Sequence, residues 1–340
     1  MPLRYYQQEA SDSVWAYISK FIEPCLIEAA TGAGKSHIIA DLARRIREKS
    51  NKNILCLAPS KELVEQNREK YLTTGQPASI FSASAGKKCL KHPVVFGTPG
   101  TVQNSISRFG DDFAAIIIDE AHGITPTIKF ICERIKKLNP KVRIIGMTAT
   151  PYRTFEGYIY RMDEKGNPAE VCKDPFFTKK VYSIKAQRLI DEGYLTPFVI
   201  GDINCQEYDS SGLEPNVKNT TEVIDKAFVG HGRKTARIVQ DVVEQSKDRK
   251  GVMFFAATVQ HAYEIYSSLP KNLSAMVTKD TKNRKDIVKE FKQQKIKYLV
   301  NVNVFTTGFD APHVDVIALL RFTDSVGLLQ QILGRGSRLS

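Results

Sequence analysis

The run Pro24-Cys25-Leu26-Ile27-Glu28-Ala29-Ala30-Thr31-Gly32-Ala33-Gly34-Lys35-Ser36 decides how this chain is read. Pro24 to Glu28 reads as a strand. From Ser36 to Glu48 the residues Ile38, Ile39, Leu42, Ala43 and Ile46 recur on one helical side. A glycine-rich turn ending in Gly-Lys-Ser between strand and helix is a phosphate-binding loop. Backbone N–H groups and the helix N-terminus hold phosphate, Lys35 neutralises its oxygens, and the Ser36 hydroxyl is placed for Mg²⁺. The strict pattern has glycine at position 29, where this chain has alanine. Gly32 and Gly34 still supply the permissive backbone.

Working outward, strands and helices alternate. Asn53–Leu57, Val94–Phe96, Ala114–Ile118 and Val142–Met147 read as strands, and Lys61–Tyr71 as a helix opened by Pro59 and Ser60. The nearly unbroken apolar run 114–118 fits a parallel strand covered on both faces. After a second stretch the alternation resumes. Strands are predicted at 251–256, 274–277, 298–302 and 314–320, with helices at 259–269 and 284–293. The fold class expected is α/β, two tandem RecA-like doubly wound parallel-sheet domains with a nucleotide cleft between them. The boundaries expected are 1–155 for the first domain, 156–196 for a hairpin-like insertion and connector, and 197–340 for the second. Within the connector, 185–192 reads as a helix capped by Gly193. The chain stops just after Gly334-Arg335-Gly336-Ser337-Arg338-Leu339, where a closing strand is expected, so the second domain is expected to continue past Ser340.

Composition sets the class. The 340 residues carry 49 Lys+Arg against 37 Asp+Glu, a net charge of +12, with 42% hydrophobic residues. That excludes a disordered or fibrous chain. No apolar run reaches the length of a membrane span, and the N-terminus lacks a signal-peptide core, so a cytoplasmic protein without a membrane partner is expected. The positive excess is spread, with 22 Lys+Arg against 14 Asp+Glu in residues 1–155, and suits a phosphate-rich partner. Six cysteines lie at least 31 positions apart, so neither a disulfide framework nor zinc is expected within 1–340. Cys25 and Cys56 read as core. Trp15, at helical spacing from Ile18 and Ile22, reads as core too. Lys87, Lys88 and Lys91 read as a loop that could meet a phosphate backbone, and the lysine-rich stretch 282–297 as a solvated amphipathic helix.

Asp119-Glu120-Ala121-His122 follows the apolar strand. A carboxylate at the end of such a strand lies beside the phosphate loop. Asp119 is therefore read as a Mg²⁺ ligand and Glu120 as the group that orients and deprotonates an attacking water.

Together these motifs resemble the superfamily-two helicases and translocases of the DEAH-signature kind, over nearly the whole chain. Leu3-Arg4-Tyr5-Tyr6-Gln7 resembles the family's N-terminal glutamine motif, which implies that Arg4 and Gln7 select ATP, together with Thr31, Gly32, Ala33, Gly34, Lys35 and Ser36. Pro59, Lys61, Glu62, Leu63 and Gln66, and Gly97-Thr98-Pro99, resemble motifs that touch a nucleic-acid backbone. Thr148-Ala149-Thr150 resembles the coupling motif, and His122 suits coupling as well. Thr306-Thr307-Gly308-Phe309-Asp310 resembles the fifth motif, implying nucleic-acid contact at Thr306 and Thr307 and ATP contact at Gly308 and Asp310. Gln331, Gly334, Arg335 and Arg338 resemble the sixth, implying coupling at Gln331 and catalytic arginines at Arg335 and Arg338 alongside Lys35 and Glu120. Phrases such as Glu192-Gly193-Tyr194-Leu195-Thr196-Pro197, Phe255-Ala256-Ala257-Thr258 and Thr306 to Asp315 are most similar to the RadD group of bacterial DNA-repair ATPases. The resemblance implies an ATP- and Mg²⁺-dependent DNA motor in repair, associated with the bacterial nucleoid, with a single-stranded-DNA-binding protein as partner. An RNA helicase, a restriction-type translocase subunit and a weakly hydrolysing binding module use the same motifs and remain open.

Overall fold

In the computed structural model, residues 2–153, 156–199, 201, 208–214, 219–302, 311–323, 326–334 and 336 are described. The chain divides into two compact units, Met1–Asp191 and Glu192–Ser340.

The first unit contains the strands β1 (Cys25–Ala29), β2 (Asn53–Leu57), β3 (Ala78–Ser82), β4 (Lys87–Lys88), β5 (Val94–Gly97), β6 (Phe113–Asp119), β7 (Arg143–Thr148), β8 (Tyr152–Arg153), β9 (Gly157–Tyr158), β10 (Tyr160–Met162) and β11 (Phe177–Ile184). Its helices are α1 (Tyr5–Ile18), α2 (Lys35–Ser50), α3 (Lys61–Leu72), α4 (Pro99–Gln103), α5 (Pro126–Leu138) and α6 (Ala186–Asp191). Among the described residues, nine strands form one sheet in the order β10-β11-β1-β7-β6-β2-β5-β3-β4. Every pairing in it is parallel except β3 with β4. β1, β2 and β5 are buried over nearly their whole length, as a sheet covered on both faces requires.

Three expectations change here. Residues 156–196 are not a separate connector. β8 and β9 do form a short antiparallel pair, but β11 lies beside β1 as a full member of the first sheet. The sequence hid this strand because its half-buried positions carry Thr178, Lys179 and Tyr182, and because its buried Lys180 looks like a surface residue. That lysine answers a charge inside the sheet. Glu28 on β1 is nearly buried and accepts hydrogen bonds from Lys180 Nζ and Ser183 Oγ at 2.8 Å each, while Lys185 Nζ pairs with its other oxygen. Burial opposes the Glu28 charge, but the two lysines overcome it and hold the carboxyl below the usual carboxylate range. Trp15 is half-buried rather than core, with the Arg45 guanidinium 5.2 Å above its ring. Tyr6, Ala10, Val14 and Ile18 make the buried face of α1 instead. Lys87 and Lys88 form β4, the edge strand, where exposed lysines on both faces guard an open sheet edge against further pairing.

The second unit contains α7 (Thr221–Phe228), α8 (Gly232–Gln245), β12 (Gly251–Ala256), α9 (Val259–Ser267), β13 (Ser274–Val277), α10 (Arg284–Lys292), β14 (Tyr298–Asn301), β15 (Val314–Leu320) and α11 (Val326–Leu333). Among the described residues its sheet is parallel, in the order β13-β14-β12-β15. α10 turns Phe291 into the core with Ile287 and Val288 packed beside it, the amphipathic helix expected from 282–297. α7 and α8 were not read from the sequence. They help enclose His261, which is fully buried on α9: its Nε2 is 3.0 Å from Tyr208 Oη, its Nδ1 accepts from Ala257 N, and Phe228 stacks on its ring.

Two predictions follow from packing. Gly146 on β7 faces Phe177, and a Cβ there would overlap that ring and lie 2.9 Å from Leu26 Cδ1. Gly146→Ala should therefore cost about 1–3 kcal/mol in urea unfolding. Burial pushes His261 down to about 4, with Asp225 working against the shift and His231 with it. In the unfolded chain it titrates near its ordinary value, so the neutral ring stabilises the fold fully above pH ~6.5. That stability drains away as pH falls towards 4, by roughly 3 kcal/mol at the full shift. Unfolding midpoints of the full chain compared at pH 7 and pH 4.5 should show the loss, and His261→Phe should reduce the difference.

Candidate functional site

β1 delivers the chain to the phosphate loop at its carboxyl end. The loop is pinned from both sides: Ala30 N donates to Ile184 O of β11 at 3.1 Å, and Ala33 N to Ala30 O at 3.0 Å. Gly32 and Gly34 stand in the left-handed region at φ +88° and +81°, where a side chain is disfavoured. Gly34 caps α2, whose first turn carries no acidic residue, so its N-terminal N–H groups face no competing local carboxylate. Gln7, buried on α1, donates Nε2 to Ala33 O at 2.9 Å and accepts Arg4 N at its Oε1 at 3.0 Å. The glutamine read from Leu3–Gln7 therefore rests on the loop itself.

The acids arrive on β6. Parallel register sets Asp119 beside Met147 and Thr148 beside Glu28, bringing the ends of β1, β7 and β6 together. Asp119 is 3% exposed, with one carboxylate oxygen accepting from Asn67 Nδ2 at 2.8 Å and the other from Glu120 N at 2.9 Å. Burial and the adjacent Glu120 charge push it up to about 6, while Lys35 and Asn67 pull the other way. Glu120 is held in left-handed backbone at φ 50°, ψ 48°, turning its side chain off the strand line. Its Oε1 lies 3.5 Å from Lys35 Nζ and its Oε2 3.4 Å from His122 Nδ1. Burial lowers the pKa of His122 although Glu120 works to raise it, which favours the neutral ring. The same Nδ1 is 3.0 Å from Thr148 Oγ1, which also accepts from Thr150 N at 3.0 Å. Lys35, Glu120, His122, Thr148 and Thr150 thus form one connected line.

The structure gathers Gln7, the loop residues 31–36, Asp119, Glu120, His122, Thr148 and Thr150 at the carboxyl ends of β1, β6 and β7, as doubly wound sheets do with their ligand sites. Pro59 is exposed and Lys61 half-buried at the carboxyl end of β2. Thr98, after β5, shares its hydroxyl with Ser82 and Thr101 at 3.2 and 2.9 Å. Gln66, assigned by resemblance to a backbone-touching motif, donates Nε2 to Ser36 Oγ at 3.2 Å. Thr306, Thr307, Gly308, Asp310, Arg335 and Arg338 lie outside the described residues. Gln331 belongs to α11, with its side chain outside them. Sequence reasoning missed Asn67, and a signal was present. Val64, Asn67 and Tyr71 share one helical stripe, so an amide stands in a buried row.

Residues 1–153 match the family described as "Type III restriction enzyme, res subunit", and residues 234–340 the "Helicase conserved C-terminal domain". These two matches carry a likeness to the helicases of superfamily two across most of the chain. IRC3 of Saccharomyces cerevisiae, named as an ATP-dependent helicase, is 26% identical over 99% of this chain and 49% of its own length. A type I restriction enzyme EcoAI endonuclease subunit of Escherichia coli is 23% identical over 99% of this chain and 44% of its own. The chain thus spans about half the length of these relatives. A fragment of a type I restriction HsdR subunit from Vibrio vulnificus superimposes with a TM-score of 0.72 at 22% identity, covering 99% of this chain and 61% of that one, and it supports the fold. These matches agree with the superfamily expected from the motifs and do not single out the RadD group.

Gly34 gives the site a direct test. A Cβ at this position would stand 2.5 Å from Gln7 Nε2, in a backbone conformation that L side chains rarely adopt. Gly34→Ala should weaken binding of a fluorescent ATP analogue at least tenfold in a titration, while circular dichroism of the chain stays unchanged.

Proposed function

We propose that this chain is an ATP-hydrolysing motor that moves along or unwinds nucleic acid, with DNA as its substrate. The observation that carries the reading is the row of polar atoms from Lys35 through Glu120 and His122 to Thr148 and Thr150, each 3.0–3.5 Å from the next, set beside the phosphate loop. The loop N–H groups and Lys35 bind the ATP phosphates. Ser36 and Asp119 are oxygen donors suited to a hard cation, and Asn67 Oδ1 beside them is buried without a donor among the described residues. These residues fit Mg²⁺, which would supply positive charge to the phosphoryl oxygens.

Glu120 orients a water and accepts its proton, with Lys35 Nζ 3.5 Å from its carboxylate. His122 ties the base to Thr148, so a change at the carboxyl end of β7 is felt at the base. In this reading Arg335 and Arg338 stabilise charge on the transferring phosphoryl group. By the motifs they resemble, Pro59, Lys61, Thr98, Thr306 and Thr307 are assigned to nucleic-acid contact in this reading, and the net charge of +12 favours a polyanion. The finer reading is DNA repair in the cytoplasm beside the nucleoid, with a single-stranded-DNA-binding protein as partner. It rests on the phrases shared with the RadD group. The likeness to a restriction enzyme subunit favours a second reading, a translocase of a restriction system.

ATP hydrolysis measured with no nucleic acid, with single-stranded DNA, with duplex DNA and with RNA tests the proposal. DNA is expected to stimulate turnover, less so as salt rises, and Glu120→Gln to cut it by about 10²–10⁴-fold. Stimulation by RNA alone would replace DNA as substrate, and absence of turnover in every condition would overturn the motor.

A further inference from the structure

α3 starts where the proposed nucleic-acid path begins and ends its second turn inside the nucleotide site. Ser60 caps it, accepting from Leu63 N at 3.3 Å, with Pro59 and Lys61 on either side. Gln66 and Asn67 then reach the two proposed metal ligands, one each: Gln66 Nε2 donates to Ser36 Oγ at 3.2 Å and Asn67 Nδ2 to Asp119 Oδ2 at 2.8 Å. Asp119 as a carboxylate can only accept, so the amide orientation of Asn67 follows from chemistry: nitrogen towards Asp119, oxygen away.

That leaves the Asn67 oxygen in question. The residue is 1% exposed, and Oδ1 finds no hydrogen-bond donor among the described residues. A buried acceptor without a donor is unfavourable, so such an arrangement points to a ligand that supplies one. The water shell of a divalent cation held near Ser36 and Asp119 is a donor of the right kind, and groups that orient metal ligands commonly shape metal affinity.

We propose that Asn67 is a positioning residue for the divalent cation. Its Nδ2 fixes the Asp119 carboxylate, its Oδ1 accepts from a water of the cation's shell, and Gln66 fixes the Ser36 hydroxyl from the same helix. α3 thereby links the strand-facing end at Ser60 and Lys61 to the metal ligands through one rigid element. This inference rests on the reading of Ser36 and Asp119 as metal ligands.

The test is binding of a fluorescent ADP analogue to the full chain, titrated with Mg²⁺ and repeated in EDTA, for wild type, Asn67→Leu and Gln66→Ala. Asn67→Leu is expected to raise the Mg²⁺ midpoint at least about tenfold, leaving nucleotide affinity in EDTA within twofold. Gln66→Ala, on a half-buried side chain that folding tolerates more readily, should shift the midpoint the same way by a smaller factor. Unchanged Mg²⁺ midpoints in both variants would overturn the inference while leaving the site reading intact. Equal weakening of nucleotide binding with and without Mg²⁺ would also overturn it, since that is the mark of a merely structural amide. A wild type whose nucleotide binding ignores Mg²⁺ would overturn the metal reading and this inference together.

Discussion

A buried carboxylate at the end of a buried strand is the constraint around which the first unit is arranged. Asp119 closes β6 with its side chain out of water, where a lone charge would be strongly unfavourable. Three neighbours make it tolerable: the Asn67 amide, the backbone N–H of Glu120, and the Lys35 charge. Each comes from a different element, α3, the turn after β6, and the start of α2. Satisfying one acid therefore fixes the relative positions of the phosphate loop, the base and the helix that leads to the β2 end.

Glu28 repeats the logic two strands away, on the far side of β7. It lies on β1, immediately before the loop, and β11 supplies Lys180 and Ser183 to meet it. β11 also holds the loop by its backbone, through Ile184 O. The strand read as connector is thus a structural partner of the phosphate loop. Burying ions is unfavourable in itself, and in the observed register, with Glu28 opposite Ser183, β11 supplies the partners that offset it.

The polar line through Glu120, His122 and Thr148 crosses strand ends that are neighbours only because β6, β7 and β1 are adjacent. A neutral His122 can donate or accept at one nitrogen without adding a charge, which suits a link between an acid and a hydroxyl. The left-handed turn at Glu120 is the strained point of this line, and strain of this kind persists where the surroundings hold it.

Local chemistry was legible in the sequence by itself. Gly32, Gly34, Lys35 and Ser36 between an apolar strand and a helical stripe declare a phosphate loop, because that strand–turn–helix context is the one in which backbone N–H groups and the lysine converge on phosphate. Asp119-Glu120 after an unbroken apolar run declares a strand-end acid pair, and the alternation of periods declares a parallel α/β sheet. What tertiary structure decided was partnership across sequence distance. Asn67 is 52 positions from Asp119, and Lys180 is 152 from Glu28. The helical stripe of Val64, Asn67 and Tyr71 marks Asn67 as buried but does not name its partner, and a lysine in a strand reads as surface until the partner is known. Burial turned Trp15 outward and Lys180 inward for the same reason: a side chain's place follows from what packs against its element, and spacing along the chain does not contain that.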